Sequence, residues 1–166
     1  MSPRRRDRLW LGVTGHQHLP PRTTELVRAA LRSLLRQYDG ANLTGITCLA
    51  DGADQLFARA VLEIGGELEV LVPALRYRDG LRPEAWPAYD ELLAAASRVE
   101  HLPFGESTEE AHLAAGQMVV DHSDRVVAVW DGAPARGLGG TADIVAYARA
   151  KPVPVSIVWP DGASRD

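Results

Sequence analysis

Short apolar runs alternate with amphipathic stretches along almost the whole chain, and this alternation restricts the available folds more than any other feature. Leu9-Trp10-Leu11-Gly12-Val13 predicts a first strand. Leu26, Val27, Ala30, Leu31, Leu34 and Leu35 recur at helical spacing and predict a helix over 23–38, stopped by Asp39-Gly40. Strands follow at 43–49 and 67–72, around a helix traced by Ala53, Leu56, Phe57, Ala60, Val61 and Ile64. Pro83 marks a helix start, 98–102 a weaker strand, and Ser107-Thr108-Glu109-Glu110 a capping box, Ser107 and Glu110 satisfying each other's backbone N–H groups. The run 125–130 is the clearest buried strand, Gly139-Gly140-Thr141 opens another helix, and 153–159 is a last strand. Strict alternation with continuous apolar strands predicts an α/β fold: a single doubly wound, mostly parallel Rossmann-like sheet with helices on both faces.

The chain has 166 residues, enough for one domain with its own core. That domain is read as 9–160, with a basic, disordered arm at 1–8 and a tail at 161–166. The arm carries Arg4, Arg5, Arg6 and Arg8. Cys48 is the only cysteine, which excludes an internal disulfide framework and a cysteine-rich zinc site and fits a reducing compartment. No apolar run approaches the ~20 residues of a spanning helix, and no apolar segment of a secretory signal follows the arginines. A cytoplasmic protein without a membrane partner is expected. The net charge of −4 argues against a protein that grips nucleic acid through phosphates alone.

In a doubly wound sheet the ligand crevice lies at the carboxyl ends of the strands, so the residues after each strand are the site candidates. Thr14, Gly15 and His16 follow the first, with Gly15 allowing a tight turn and close backbone approach. Asp51, Gly52, Ala53 and Asp54 follow the second. There Asp51 caps the helix, or the Gly52 and Ala53 N–H groups bind an anion, and Asp54 points at ribose hydroxyls or orders the loop. Asp131 follows the fifth strand. Behind it, Gly139, Gly140 and Thr141 make a phosphate cradle: glycines admit the phosphate, first-turn N–H groups donate, and the Thr141 hydroxyl adds a donor. Arg76, Arg78 and Arg82 either reach an anion or form a solvated loop, and Trp86 and Trp130 either stack on a base or pack in the core. Cys48 reads as core. His16 and His18 are not expected to bind metal, and no cofactor is required beyond a nucleotide ligand.

These loops together resemble the SLOG superfamily, which joins the DprA/Smf DNA-processing proteins to the LOG "lysine decarboxylase-like" proteins. The run 48–58, Cys-Leu-Ala-Asp-Gly-Ala-Asp-Gln-Leu-Phe-Ala, is similar to the DprA-type S-G-L-A-x-G-I-D-x-x-A-H, and Gly139-Gly140-Thr141 to the LOG-type P-G-G-x-G-T-x-x-E. The resemblance implies a Rossmann-like nucleotide-binding domain, often a homodimer. LOG proteins hydrolyse the N-glycosidic bond of a nucleoside monophosphate through an arginine and the motif glutamate. Ile144 holds that position here, with Asp143 one residue early; one residue turns a helical side chain by ~100°. The expected function is binding or sensing of a nucleotide or an ADP-ribose-like derivative. The alternative is a phosphoribohydrolase with Asp143 or Asp54 as its carboxylate, and a weaker one is a module for single-stranded nucleic acid.

Overall fold

The computed structural model describes residues 7–166; Arg4, Arg5 and Arg6 of the expected arm lie outside them. Six strands, β1 (Leu9–Gly15), β2 (Leu43–Thr47), β3 (Glu67–Val72), β4 (Arg98–His101), β5 (Arg125–Val129) and β6 (Val155–Val158), alternate with five helices. The helices are α1 (Pro21–Leu35), α2 (Ala53–Glu63), α3 (Trp86–Ala94), α4 (Glu109–His122) and α5 (Thr141–Ala150). All strand pairs are parallel, in the order β4-β3-β2-β1-β5-β6. The expected doubly wound sheet is therefore present. Its order reverses between β1 and β5, which places the topological switch point, and the crevice it opens, there.

Both faces of the sheet are covered, which is why the strands read as continuous apolar runs. On one face Val13 and Val127 pack with Val27, Leu31 and Leu35 of α1, Phe57 and Val61 of α2, and Leu92 of α3. On the other, Ile46 and Leu71 meet Ala115 and Val119 of α4, and Val126 meets Ile144 and Ala148 of α5.

Several boundaries differ from those expected, each for a local reason. α1 begins at Pro21, whose missing N–H costs nothing at a first helical position. β2 stops at Thr47 rather than 49, because Leu49 adopts φ 55° and leaves the extended conformation. α4 is capped by Thr108, not Ser107: the Thr108 hydroxyl accepts from the Ala111 N–H at 3.2 Å, while the Ser107 hydroxyl lies 2.7 Å from His112 Nε2. Pro83–Ala85 forms a 3-10 turn, and the α-helix proper starts at Trp86. Arg8 bonds the Thr44 hydroxyl at 2.8 Å, and in the tail the Ser164 N–H donates to the Thr23 hydroxyl at 2.9 Å.

Candidate functional site

A cleft of about 500 Å³ opens where β1 and β5 diverge, walled by the loops after both strands and by the first turns of α4 and α5. Its size falls in the range of small-molecule sites. Of the residues singled out from the sequence, Thr14, Gly15, His16, His18, Cys48, Asp54, Gly139, Gly140 and Thr141 line it. Asp51, Gly52, Ala53, Asp131 and Asp143 do not.

A glycine loop and the start of α5 form one end of the cleft. Gly139 has φ 80°, and a Cβ there would lie 2.8 Å from the Leu113 backbone nitrogen, so the loop needs glycine both to turn and to lie against α4. Gly140 caps α5 through its backbone, with Asp143 N–H and Ile144 N–H both donating to its carbonyl. Among the described residues the N–H groups of Thr141 and Ala142 have no acceptor. They point out of the helix start at its positive end. Arg136 and Arg165 line the same space.

Asp143 serves the loop instead of the cleft: its Oδ2 accepts from the Gly139 N–H at 3.0 Å. Ile144, at the position of the LOG glutamate, is buried against α4. Ile144 also lines the cleft but offers no carboxylate, and Asp143 does not line it.

The α2 end is arranged differently. The Ala53 N–H donates to the His16 carbonyl at 3.2 Å, so one of the two donors of the expected cradle is engaged within the chain, and neither Gly52 nor Ala53 lines the cleft. Asp51 does not cap α2; it pairs with Arg82, and His18 Nε2 lies 3.6 Å from its carboxylate. Asp54 orders the loop. Its Oδ2 accepts from the Ala50 N–H at 3.2 Å, while the Thr47 hydroxyl accepts from the Leu49 N–H and the Gln55 amide donates to the Leu49 carbonyl. Together these bonds hold Leu49 in its left-handed conformation. Burial raises the Asp54 carboxyl to about 7, against the opposing pull of bonds from Ala50, Cys48 and Thr47. Burial likewise pushes the Cys48 thiol up, and Asp54 adds to it, which removes Cys48 as a nucleophile.

His16 fastens the three loops around the switch point. Its Nε2 accepts from the Asp131 N–H at 3.0 Å, and its Nδ1 lies 3.4 Å from the Thr141 hydroxyl. Burial lowers its pKa, outweighing the Asp131 carboxylate 3.0 Å away. Gly15 makes no tight turn; a Cβ would sit 2.5 Å from the Ala53 Cβ, so its role is to let α2 close onto β1.

Glu109, His112, Arg136 and Tyr77 also line the cleft and escaped the sequence reading. Glu109 and His112 follow β4, so the rule of strand carboxyl ends reaches them. Arg136 lies in a loop without a motif. Arg76, Arg78 and Arg82 are engaged by Glu106, Asp90 and Asp51 respectively. Trp86 and Trp130 lie outside the cleft, each with its indole N–H on a nearby carbonyl.

The sequence matches no family model, and comparison with curated proteins finds no match. Solved structures do match. DNA processing protein A from Helicobacter pylori, described for its single-stranded DNA binding mode, is 17% identical with a TM-score of 0.65, over 95% of this chain and 69% of that one. A molybdenum cofactor binding protein from Rippkaea orientalis is 18% identical with a TM-score of 0.61, over 95% and 80%. The chain shares the Rossmann-like fold of these structures. The DprA of Streptococcus pneumoniae shares it at a TM-score of 0.66 and 17% identity, with 93% of this chain matching 52% of that protein. The chain thus spans about half of that relative.

Proposed function

We propose that the cleft binds a nucleotide or a phosphate-bearing nucleotide derivative such as an ADP-ribose-like molecule. One observation carries this reading: Thr141 and Ala142 at the start of α5, whose N–H groups have no acceptor among the described residues, line the cleft with Arg136. Helix dipole, convergent donors and a guanidinium favour phosphate at the same point. Asp54, with its carboxyl at about 7, is only half ionised at neutral pH and repels phosphate less than an ordinary aspartate. The cleft lining also offers the Glu109 carboxylate for ribose hydroxyls.

Binding without turnover is the form we favour. Asp143 is committed to Gly139 and Ile144 is apolar, so the α5 carboxylate that LOG hydrolysis uses has no counterpart. Loss of one preorganised electrostatic contact typically costs ~10²–10³ in rate.

Calorimetry with AMP, ADP-ribose and adenosine tests the reading. The phosphorylated compounds should bind at least tenfold more tightly than adenosine. Arg136→Gln, at an exposed side chain whose partner is the exposed Asp166, should weaken them several-fold and leave adenosine unchanged. Equal affinity for adenosine and AMP would sink the phosphate assignment. Salt-sensitive binding of single-stranded DNA in place of any nucleotide would favour the nucleic-acid reading instead.

A further inference from the structure

A second site lies away from the cleft, where β3, β4 and the last turn of α4 meet. The register sets Glu69 opposite Arg98 and Leu71 opposite Glu100, so Glu69 and Glu100 stand on one face, a diagonal step apart. That face is the one α4 covers, since Leu71 packs on Ala115 and Val119. α4 ends at His122, whose Nδ1 lies 2.9 Å from Glu69 Oε1. One ligand-capable atom from each of Glu69, Glu100 and His122 lies within 4.8 Å of the other two.

Glu69 meets the His122 ring, but Glu100 has no such partner among the described residues. Glu69 is 4% exposed. Oε2 of Glu100 is closed to solvent and has no hydrogen-bond partner. Among the described residues, neither carboxylate pairs with an arginine or lysine. A buried carboxylate oxygen without a donor is costly, and a like charge beside it adds to the cost. A divalent cation removes both penalties at once.

We propose that Glu69, Glu100 and His122 bind a first-row divalent metal ion, with Zn²⁺ as the best match. Two carboxylates and one imidazole are borderline N/O donors suited to it. Bonds of ~2.0–2.2 Å to the ion bring donor atoms to about 3.4 Å apart, inside the 4.8 Å within which the three now lie. Three protein ligands leave room for water. The ion would fasten edge strand β4 to its neighbour and to α4. None of the three residues lines the cleft, so this site stands or falls independently of the nucleotide reading.

The test uses the whole chain, stripped with EDTA and titrated with Zn²⁺ in a calorimeter. One site of micromolar or tighter affinity is expected, unchanged in His18→Ala, which alters a histidine of the cleft lining. Glu100→Gln should weaken it at least tenfold. In EDTA the same variant should melt at or above the wild-type temperature, because it removes a buried charge. His122→Ala gives a second route, with the same loss of affinity. No binding, binding undiminished by Glu100→Gln, or a clear drop in the melting temperature of Glu100→Gln in EDTA would each overturn the proposal.

Discussion

Asp54 ties the chemistry of the cleft to the stability of the fold. Its carboxyl titrates at about 7 in the fold, against 3.8 for an ordinary aspartate. Below pH 3.8 it is neutral in both states. Between 3.8 and 7 the unfolded chain releases the proton first, so this group's contribution to stability falls as pH rises. Above 7 the deficit is complete, at about 4 kcal/mol. His16 and His112 act in the opposite sense. Burial lowers both from 6.5, so their contribution is full above 6.5 and is lost as pH falls toward their native pKa values. Comparison with Asp54→Asn separates the two effects. Urea unfolding at pH 5 and pH 8 should show Asp54→Asn gaining about 2–3 kcal/mol on the wild type over that interval. Parallel profiles would mean that Asp54 is ionised throughout.

At the scale of elements, the packing of α4 on α5 replaces the catalytic geometry that the resemblance suggested. Gly116 in the middle of α4 lets the two helices close: a Cβ there would lie 2.5 Å from Ile144 Cδ1 and 2.9 Å from its Cγ1. Ile144 is buried in that contact at 2% exposure, which gives its apolar character a structural reason. Gly116→Ala should therefore destabilise by about 1–3 kcal/mol despite the better helix propensity of alanine. Adding Ile144→Val removes the nearest atom, so the double variant should recover part of the loss. Denaturant midpoints of the two single variants and the pair check this. Additive losses would show that the two residues do not share the contact.

The whole molecule is a sheet with two edges. Val99 on β4 is 39% exposed and Ile157 on β6 45%. Open edges bearing apolar side chains favour pairing with another chain, and the SLOG resemblance points the same way. We propose a homodimer of about 36 kDa, twice the 18.0 kDa of the chain. Light scattering that reports one chain per particle across micromolar concentrations counts against it. Among the described residues no helix is long and apolar enough to cross a membrane.

The sequence by itself determined the number, kind and order of the elements, because each signal is local. Val126, Val127 and Ala128 read as a doubly covered strand, and Leu31 and Leu35 as one face of a helix, wherever their partners lie. It also marked the cleft through Gly139, Gly140 and Thr141, since a glycine-rich helix start after a buried strand has few other uses. Tertiary structure decided which backbone donors remain free. Ala53 and Thr141 both open helices after strands, yet the Ala53 N–H donates to the His16 carbonyl and the Thr141 N–H has no acceptor among the described residues. It decided that Asp143 turns back to Gly139 and that Arg136 reaches the cleft from a loop without pattern. It also brought Glu69, Glu100 and His122 together from three elements. Hydrogen-bond partners and side-chain directions depend on distances between segments far apart in the chain, and no local spacing of residue types encodes them.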